Sequence, residues 1–128
     1  MRASVVLLDK SSQFMVLIKR VKLGRTYYVL PGGTVESGES FQQAAIREIK
    51  EELNISLSDT MLKSSQTCED GYVFLAQTDV EVSPLQIFGE EFGRVSQDNH
   101  YQPLWLSLSK AKKMTFYPEI DLEGFLEV

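Results

Sequence analysis

Gly33 to Ile55 reads GTVESGESFQQAAIREIKEELNI, a glycine-bearing turn that leads into a segment of helical periodicity. At 100° per residue, Phe41, Ala45, Ile46, Ile49 and Leu53 share one broad apolar arc. Ser40 suits the N-cap and Gln43 completes a capping box with it. Glu39, just before the cap, lies near the positive end of the helix dipole. Asn54 tolerates the left-handed backbone of a C-terminal cap. The spacing therefore predicts a helix over 41–53. Glu48, Glu51 and Glu52 fall on the flank of the apolar arc, at the edge of the buried face, while Gln43 and Lys50 lie on the far side. Like charges three or four residues apart cost a helix about 0.2–0.5 kcal/mol per pair, and Glu48 meets one at each spacing. A divalent cation reverses that sign. The first functional reading is a metal site built on one helix, near the mouth of a cleft.

The flanking sequence reads mostly as strands. Residues 2–9 and 13–19 are rich in Val, Leu and Ile, with turn residues between them, and predict a strand pair. Arg2 to Leu8 do not alternate strictly, which suits a strand covered on both faces. Tyr27 to Leu30 is a short strand that Pro31-Gly32-Gly33 stops. Lys19, Arg20, Lys22 and Arg25 are expected in a loop, either as a solvated surface or as a basic rim for phosphates ahead of the glycine turn. Downstream, 60–68 and 71–79 predict two more strands around the turn Glu69-Asp70-Gly71. Leu85 to Phe88 reads as a short strand, Gly89 to Tyr101 as a polar loop, and Pro103 to Leu106 as the last strand. Ser107 or Ser109 would cap a short helix through Met114, and a final helix follows Pro118 with Ile120, Leu122, Phe125 and Leu126. These elements predict a mixed β-sheet between helices in a single domain over 1–128. The GxGxxG pattern and regular βαβ alternation of a Rossmann fold are missing.

Composition narrows the partners. The chain is 43% hydrophobic and 24% charged, near globular averages. A net charge of −5 argues against binding to nucleic-acid duplex or to an anionic membrane. It leaves an anionic small substrate open, because a bound cation inverts the local field. Cys68 is the one cysteine, so no intramolecular disulfide or paired-cysteine zinc site forms, and a reducing compartment is the simpler expectation. Ala3 to Leu8 is too short for a signal-peptide core or a membrane span. The expectation is a soluble cytoplasmic protein.

Gly33, Glu39, Arg47-Glu48, Ile49, Glu51-Glu52 and Ile55 together resemble the Nudix box, G-x5-E-x7-R-E-U-x-E-E-x-G-U, in which U is a bulky aliphatic residue. Every fixed position is met except the glycine, where Asn54 stands at the helix cap rather than among the carboxylates. Pro31-Gly32 and Trp105-Leu106 also resemble members of the family. The resemblance implies an α/β/α sandwich that hydrolyses nucleoside diphosphates linked to another group, with Mg2+ or Mn2+. It implies Glu48, Glu51 and Glu52 as metal ligands, and Arg47 with Glu39 and Gly33 shaping loop and helix around them. It further implies that a metal-activated water attacks phosphorus and that a carboxylate takes its proton. Glu52 is the candidate base within the box, and Glu90, Glu91 and Asp98 are candidates from the downstream loop. His100, the one histidine, stands beside Tyr101 as a site residue or a surface one.

For the substrate, Arg20 and Arg25 are candidate phosphate contacts, and Tyr27, Tyr28, Tyr72 and Phe74 are candidate stacking walls. Members that cleave ADP-ribose often carry a proline downstream of the box; here that region is Asp70-Gly71-Tyr72. A tyrosine there resembles the dinucleoside polyphosphate group. Cleavage of nucleoside triphosphates in the manner of MutT is the other option. The competing reading is a Nudix module that binds a nucleotide, or regulates a partner, without hydrolysis. An eroded box helix would favour it, and here all three glutamates are intact. Many relatives dimerise, although no segment of this chain demands it.

Overall fold

The computed structural model describes residues 1–82 and 99–126. Its strands are β1 (Arg2–Leu8), β2 (Phe14–Lys22), β3 (Arg25–Val29), β4 (Gly32–Thr34), β5 (Leu62–Cys68), β6 (Gly71–Gln77) and β7 (Asn99–Ser107). Its helices are α1 (Phe41–Leu53), α2 (Leu108–Ala111) and α3 (Leu122–Leu126). All seven strands join one mixed sheet in the order β3-β2-β1-β6-β5, with β4 on β1 and β7 on β2. The β1–β6 pairing is parallel, and the others are antiparallel.

The strand period of two explains the layers. Ala3, Val5 and Leu7 of β1 pack with Phe74 and Ala76 under Ala44, Ala45, Ile49 and Leu53 of α1. Val6 and Leu8 point the other way, with Met15, Leu17, Val73 and Leu75, and are covered by Ala111, Phe116, Leu122 and Phe125. A sheet that is apolar on both faces must be covered on both. The result is a mixed α+β fold with α1 on one face and the C-terminal segment on the other.

The sheet forks where the site lies. β1 and β2 are in register only at Leu8 and Met15. Beyond that point β1 pairs with β4, Ala3 opposite Gly33 and Ser4 opposite Gly32. β2 pairs instead with β3, from Ile18 opposite Val29 to Lys22 opposite Arg25. The two arms diverge, and Leu30-Pro31 crosses between them. Leu30 donates its N–H to the Tyr117 carbonyl at 2.9 Å, and Val5 donates to the Pro31 carbonyl at 3.0 Å.

Several expectations change. Lys19 to Arg25 is not a loop but the end of a β2–β3 hairpin. Leu23 and Gly24 form its turn with φ of 51° and 80°, the positive φ at both positions that a tight hairpin favours. Its charged strand ends carry no hydrophobic alternation, which hides them in the sequence. The last strand begins at Asn99 rather than Pro103, because it pairs with all nine residues of β2. The helix capped by Ser107 stops at Ala111, short of Met114. The predicted strand at 85–88 and most of the 89–101 loop lie outside the described residues. Among the described residues, no helix is long and apolar enough to cross a membrane.

Candidate active site

Local chemistry sets α1 in place. The Ser40 hydroxyl accepts from the Gln43 N–H at 3.1 Å, and the Gln43 side chain accepts from the Ser40 N–H at 2.8 Å. Asn54 closes the other end at φ 57° and ψ 33°, its N–H donating to the Lys50 carbonyl. α1 buries Ile49 and Leu53 against the sheet and carries Glu48, Glu51 and Glu52 to the lip of the fork.

Arg47 is the hub of the cluster. Its Nε and Nη2 donate to the two oxygens of Glu39 at 2.7 and 3.0 Å, and Nη2 also donates to the Thr34 carbonyl at 2.9 Å. Nη1 donates to Glu48 at 2.8 Å and to Glu51 at 3.2 Å, with Glu36 at 3.6 Å. One guanidinium thus ties the box loop to the helix. Hydrogen bonding from Arg47 is the main cause that holds the Glu39 carboxyl down at about 2, with help from the Glu36 N–H. The same pairing raises the Arg47 pKa, against the opposing effect of burial.

Gly33 makes room for Glu48. A Cβ built on Gly33 would overlap the Glu48 carboxylate, so only glycine leaves this recess between β4 and α1. Glu52 is 6% exposed, whereas the Glu51 side chain is 57% exposed. Among the described residues, no three His, Cys, Asp or Glu side chains already stand as a ligand set; Glu48 and Glu51 both turn an oxygen toward Arg47. The donor set nevertheless fits a hard cation. Among the described residues, Arg47 is the one cation within 4.0 Å of Glu36, Glu39, Glu48 and Glu51. Carboxylate oxygens are what Mg2+ and Mn2+ take.

The cleft has a volume of about 600 Å³ and is lined by Arg2, Ile18, Arg20, Val29, Leu30, Gly32, Gly33, Thr34, Glu36, Arg47, Glu48, Glu51, Glu52 and Tyr101. A second hollow of about 780 Å³ adjoins it and shares Arg2, Arg20, Val29 and Leu30. Ser4, Glu69, Asp70, Tyr117, Pro118 and Glu119 complete its walls. Tyr117 is 49% exposed.

The structure brings together Gly33, Arg47, Glu48, Glu51, Glu52 and Arg20 around one cleft, with Glu39 behind Arg47. Arg25 is exposed on the hairpin and does not line the cleft. Tyr28 packs against the opposite face of the sheet, with Leu30 and Phe116. Tyr72 meets Phe41 edge-on at 4.6 Å between ring centroids and lies 6.4 Å from Phe74, so both rings pack against α1 rather than line the cleft. His100 is exposed on β7. Glu90, Glu91 and Asp98 lie outside the described residues.

The sequence reading did not include Arg2, Glu36 or Tyr101. The Arg20 guanidinium donates to the Tyr101 hydroxyl across 81 residues of sequence, and it lies 4.2 Å from that ring's centroid and 5.4 Å from that of Tyr27. No local pattern links such partners; only the β2–β7 register places Tyr101 opposite Arg20.

The NUDIX domain model matches residues 1–121 of the chain. A Caenorhabditis elegans protein with the provisional name nudix hydrolase 2 is 40% identical over 57 residues, which are 43% of this chain and 25% of that protein. The match thus spans about a quarter of the relative's length. A solved MutT structure, from work on Aliivibrio salmonicida and Vibrio cholerae, superposes with a TM-score of 0.60 at 19% identity, over 90% of this chain and 85% of that one. An Ap4A hydrolase from C. elegans superposes with a TM-score of 0.59 at 24% identity, over 89% and 85%. At these identities the two structures speak for the fold, and the domain match with its complete set of carboxylates speaks for the family. The chain belongs to the Nudix hydrolase family.

Proposed function

We propose that the chain, as a single domain, hydrolyses a diphosphate bond in a nucleoside diphosphate-linked substrate, such as a nucleoside triphosphate, a nucleotide sugar or a dinucleoside polyphosphate. The observation that carries this reading is the recess over Gly33, which seats the Glu48 carboxylate at the lip of a cleft already lined by Glu51, Glu52 and Arg20. Glu48, Glu51 and Glu52 would hold Mg2+ or Mn2+. When bound, such an ion offsets phosphate charge and acidifies water. To join the ligand set, Glu51 must leave Arg47. An ion pair this exposed is worth at most about 1 kcal/mol, so the move is cheap.

The chain's own groups then divide the work. Arg47, held by Glu39 and the Thr34 carbonyl, keeps the box loop and α1 at a fixed distance. Arg20 and Arg2, one from each arm of the fork, bind phosphate oxygens. Glu52, or in its place a carboxylate from the downstream loop, takes the proton of the attacking water. Water forms a new P–O bond while the bridging P–O bond breaks, and the displaced phosphate leaves with the electron pair. The adjoining hollow, with the Tyr117 ring at its rim, offers space for the nucleoside.

A panel of nucleoside triphosphates, nucleotide sugars, dinucleotides and capped oligomers, scored by product mass with magnesium present, tests this. We expect metal-dependent cleavage at a diphosphate bridge. Glu51→Gln and Glu52→Gln should lower turnover by about 100-fold or more, in the range that transition-state charge groups supply, with far-UV circular dichroism unchanged. Saturable nucleotide binding without any product would instead establish a binding module.

A further inference from the structure

An arginine has five N–H donors, and Arg47 spends all of them in five hydrogen bonds. Nε and Nη2 go to the Glu39 carboxylate and the Thr34 carbonyl. Nη1 goes to Glu48 and Glu51. A third carboxylate lies on the Nη1 side. Glu36 Oε1 stands 3.6 Å from Nη1, just beyond hydrogen-bond length. Glu36 falls among the unfixed positions between Gly33 and Glu39 of the box, so the resemblance gives it no role.

The two sides of the guanidinium are held differently. The Glu39 and Thr34 side belongs to the box loop and to β4, which pairs with β1. The Nη1 side depends on Glu48 and Glu51, the carboxylates proposed above to hold a divalent cation. Oxygens turned toward such an ion are weaker acceptors for Arg47. The Arg47 side chain is only 22% exposed, so water replaces them poorly, and donors left without acceptors are destabilising. The like charge of the ion near the guanidinium adds to that cost.

Glu36 is built to answer both. Its main chain is pinned, its N–H donating to Glu39 Oε1 at 3.0 Å and its carbonyl accepting from the Glu39 N–H at 3.1 Å. Its side chain is 67% exposed and turns without repacking. A shift of less than about 1 Å closes the gap to Nη1. We propose that Glu36 is a positioning residue, which takes over Nη1 of Arg47 when Glu48 and Glu51 turn to the divalent cation. Arg47 then keeps its charge partnered on both sides, and the box loop and α1 stay in place. This role rests on the metal reading under the proposed function.

Titration of Mn2+ into substrate-free protein, with the free ion read by electron paramagnetic resonance, tests the role without catalysis. Glu36→Gln keeps the shape of the side chain and removes its charge. The variant should bind Mn2+ about fivefold more weakly than wild type, the upper end for so exposed a pair. Without metal it should melt no lower than wild type. Equal Mn2+ affinity in the two proteins overturns the role, and so does a lower melting temperature without metal, which marks a contact already made. Guanidinium 15N–1H spectra at saturating Mg2+ then separate action through Arg47 from direct contact with the ion. The Arg47 Nη1 hydrogens should exchange slowly with water in wild type and fast in the variant. Signals alike in the two proteins, beside weaker metal binding, would make Glu36 a ligand of the ion and overturn the proposal. Absence of Mn2+ binding by wild type sinks the metal reading itself, and the role of Glu36 with it.

Discussion

At the residue scale, two adjacent glycines serve different ends. Gly32 has φ of 150°, and a Cβ there would run into the backbone of Ala3 and Ser4. Gly33 meets only the far end of the Glu48 side chain, which can move. Gly32→Ala should therefore cost roughly 2–4 kcal/mol of stability, since strand β1 has nowhere to go. Gly33→Ala should cost less than about 1 kcal/mol, yet lower turnover by about 100-fold through displacement of a site carboxylate. Denaturant melts and steady-state kinetics on the two variants check this; equal effects on stability would refute the division. The identity of both glycines is legible in sequence. Which one faces backbone and which faces a carboxylate depends on the β1–β4 register.

At the scale of elements, α1 and its loop act as one unit through Arg47. The Glu39 pKa in the folded protein, about 2, lies below its ordinary value of 4.5. The pairing therefore stabilises in full above pH 4.5 and is lost as pH falls toward 2. Glu39→Gln should melt below wild type at neutral pH, with the gap closing as pH falls through that window. A gap that stays constant down to pH 2 would show that Glu39 acts through packing rather than charge. The helix was readable in full because its signals are local: apolar residues at helical spacing, a capping box at Ser40 and a left-handed cap at Asn54. The hairpin was not, because its strand ends are charged, and a turn of Leu23-Gly24 lacks the usual Asn-Gly signature.

At the scale of the whole molecule, the fork at Leu8 and Met15 makes the cleft, and the helix lines it with carboxylates. Binding of a cation only to the folded state raises stability by about 2.7 kcal/mol at free metal a hundredfold above Kd. Mg2+ should therefore raise the melting temperature by several degrees, and chelation should abolish turnover while leaving the far-UV spectrum intact. Glu51→Gln should lose most of the thermal shift. A wild-type shift in that variant would move the metal elsewhere.

By itself the sequence determined the helix, its caps, the carboxylates on its flank, the mixed strand content and the family that these positions resemble. Periodicity, capping and fixed offsets act within a few turns of chain and survive without tertiary contacts. Only the tertiary structure decided that the sheet splits, that Arg20 meets Tyr101, that Tyr72 packs against α1, and that Tyr28 faces away from the cleft. Those outcomes depend on which strands pair and in which register, and shifting a strand by one residue turns every side chain to the other face.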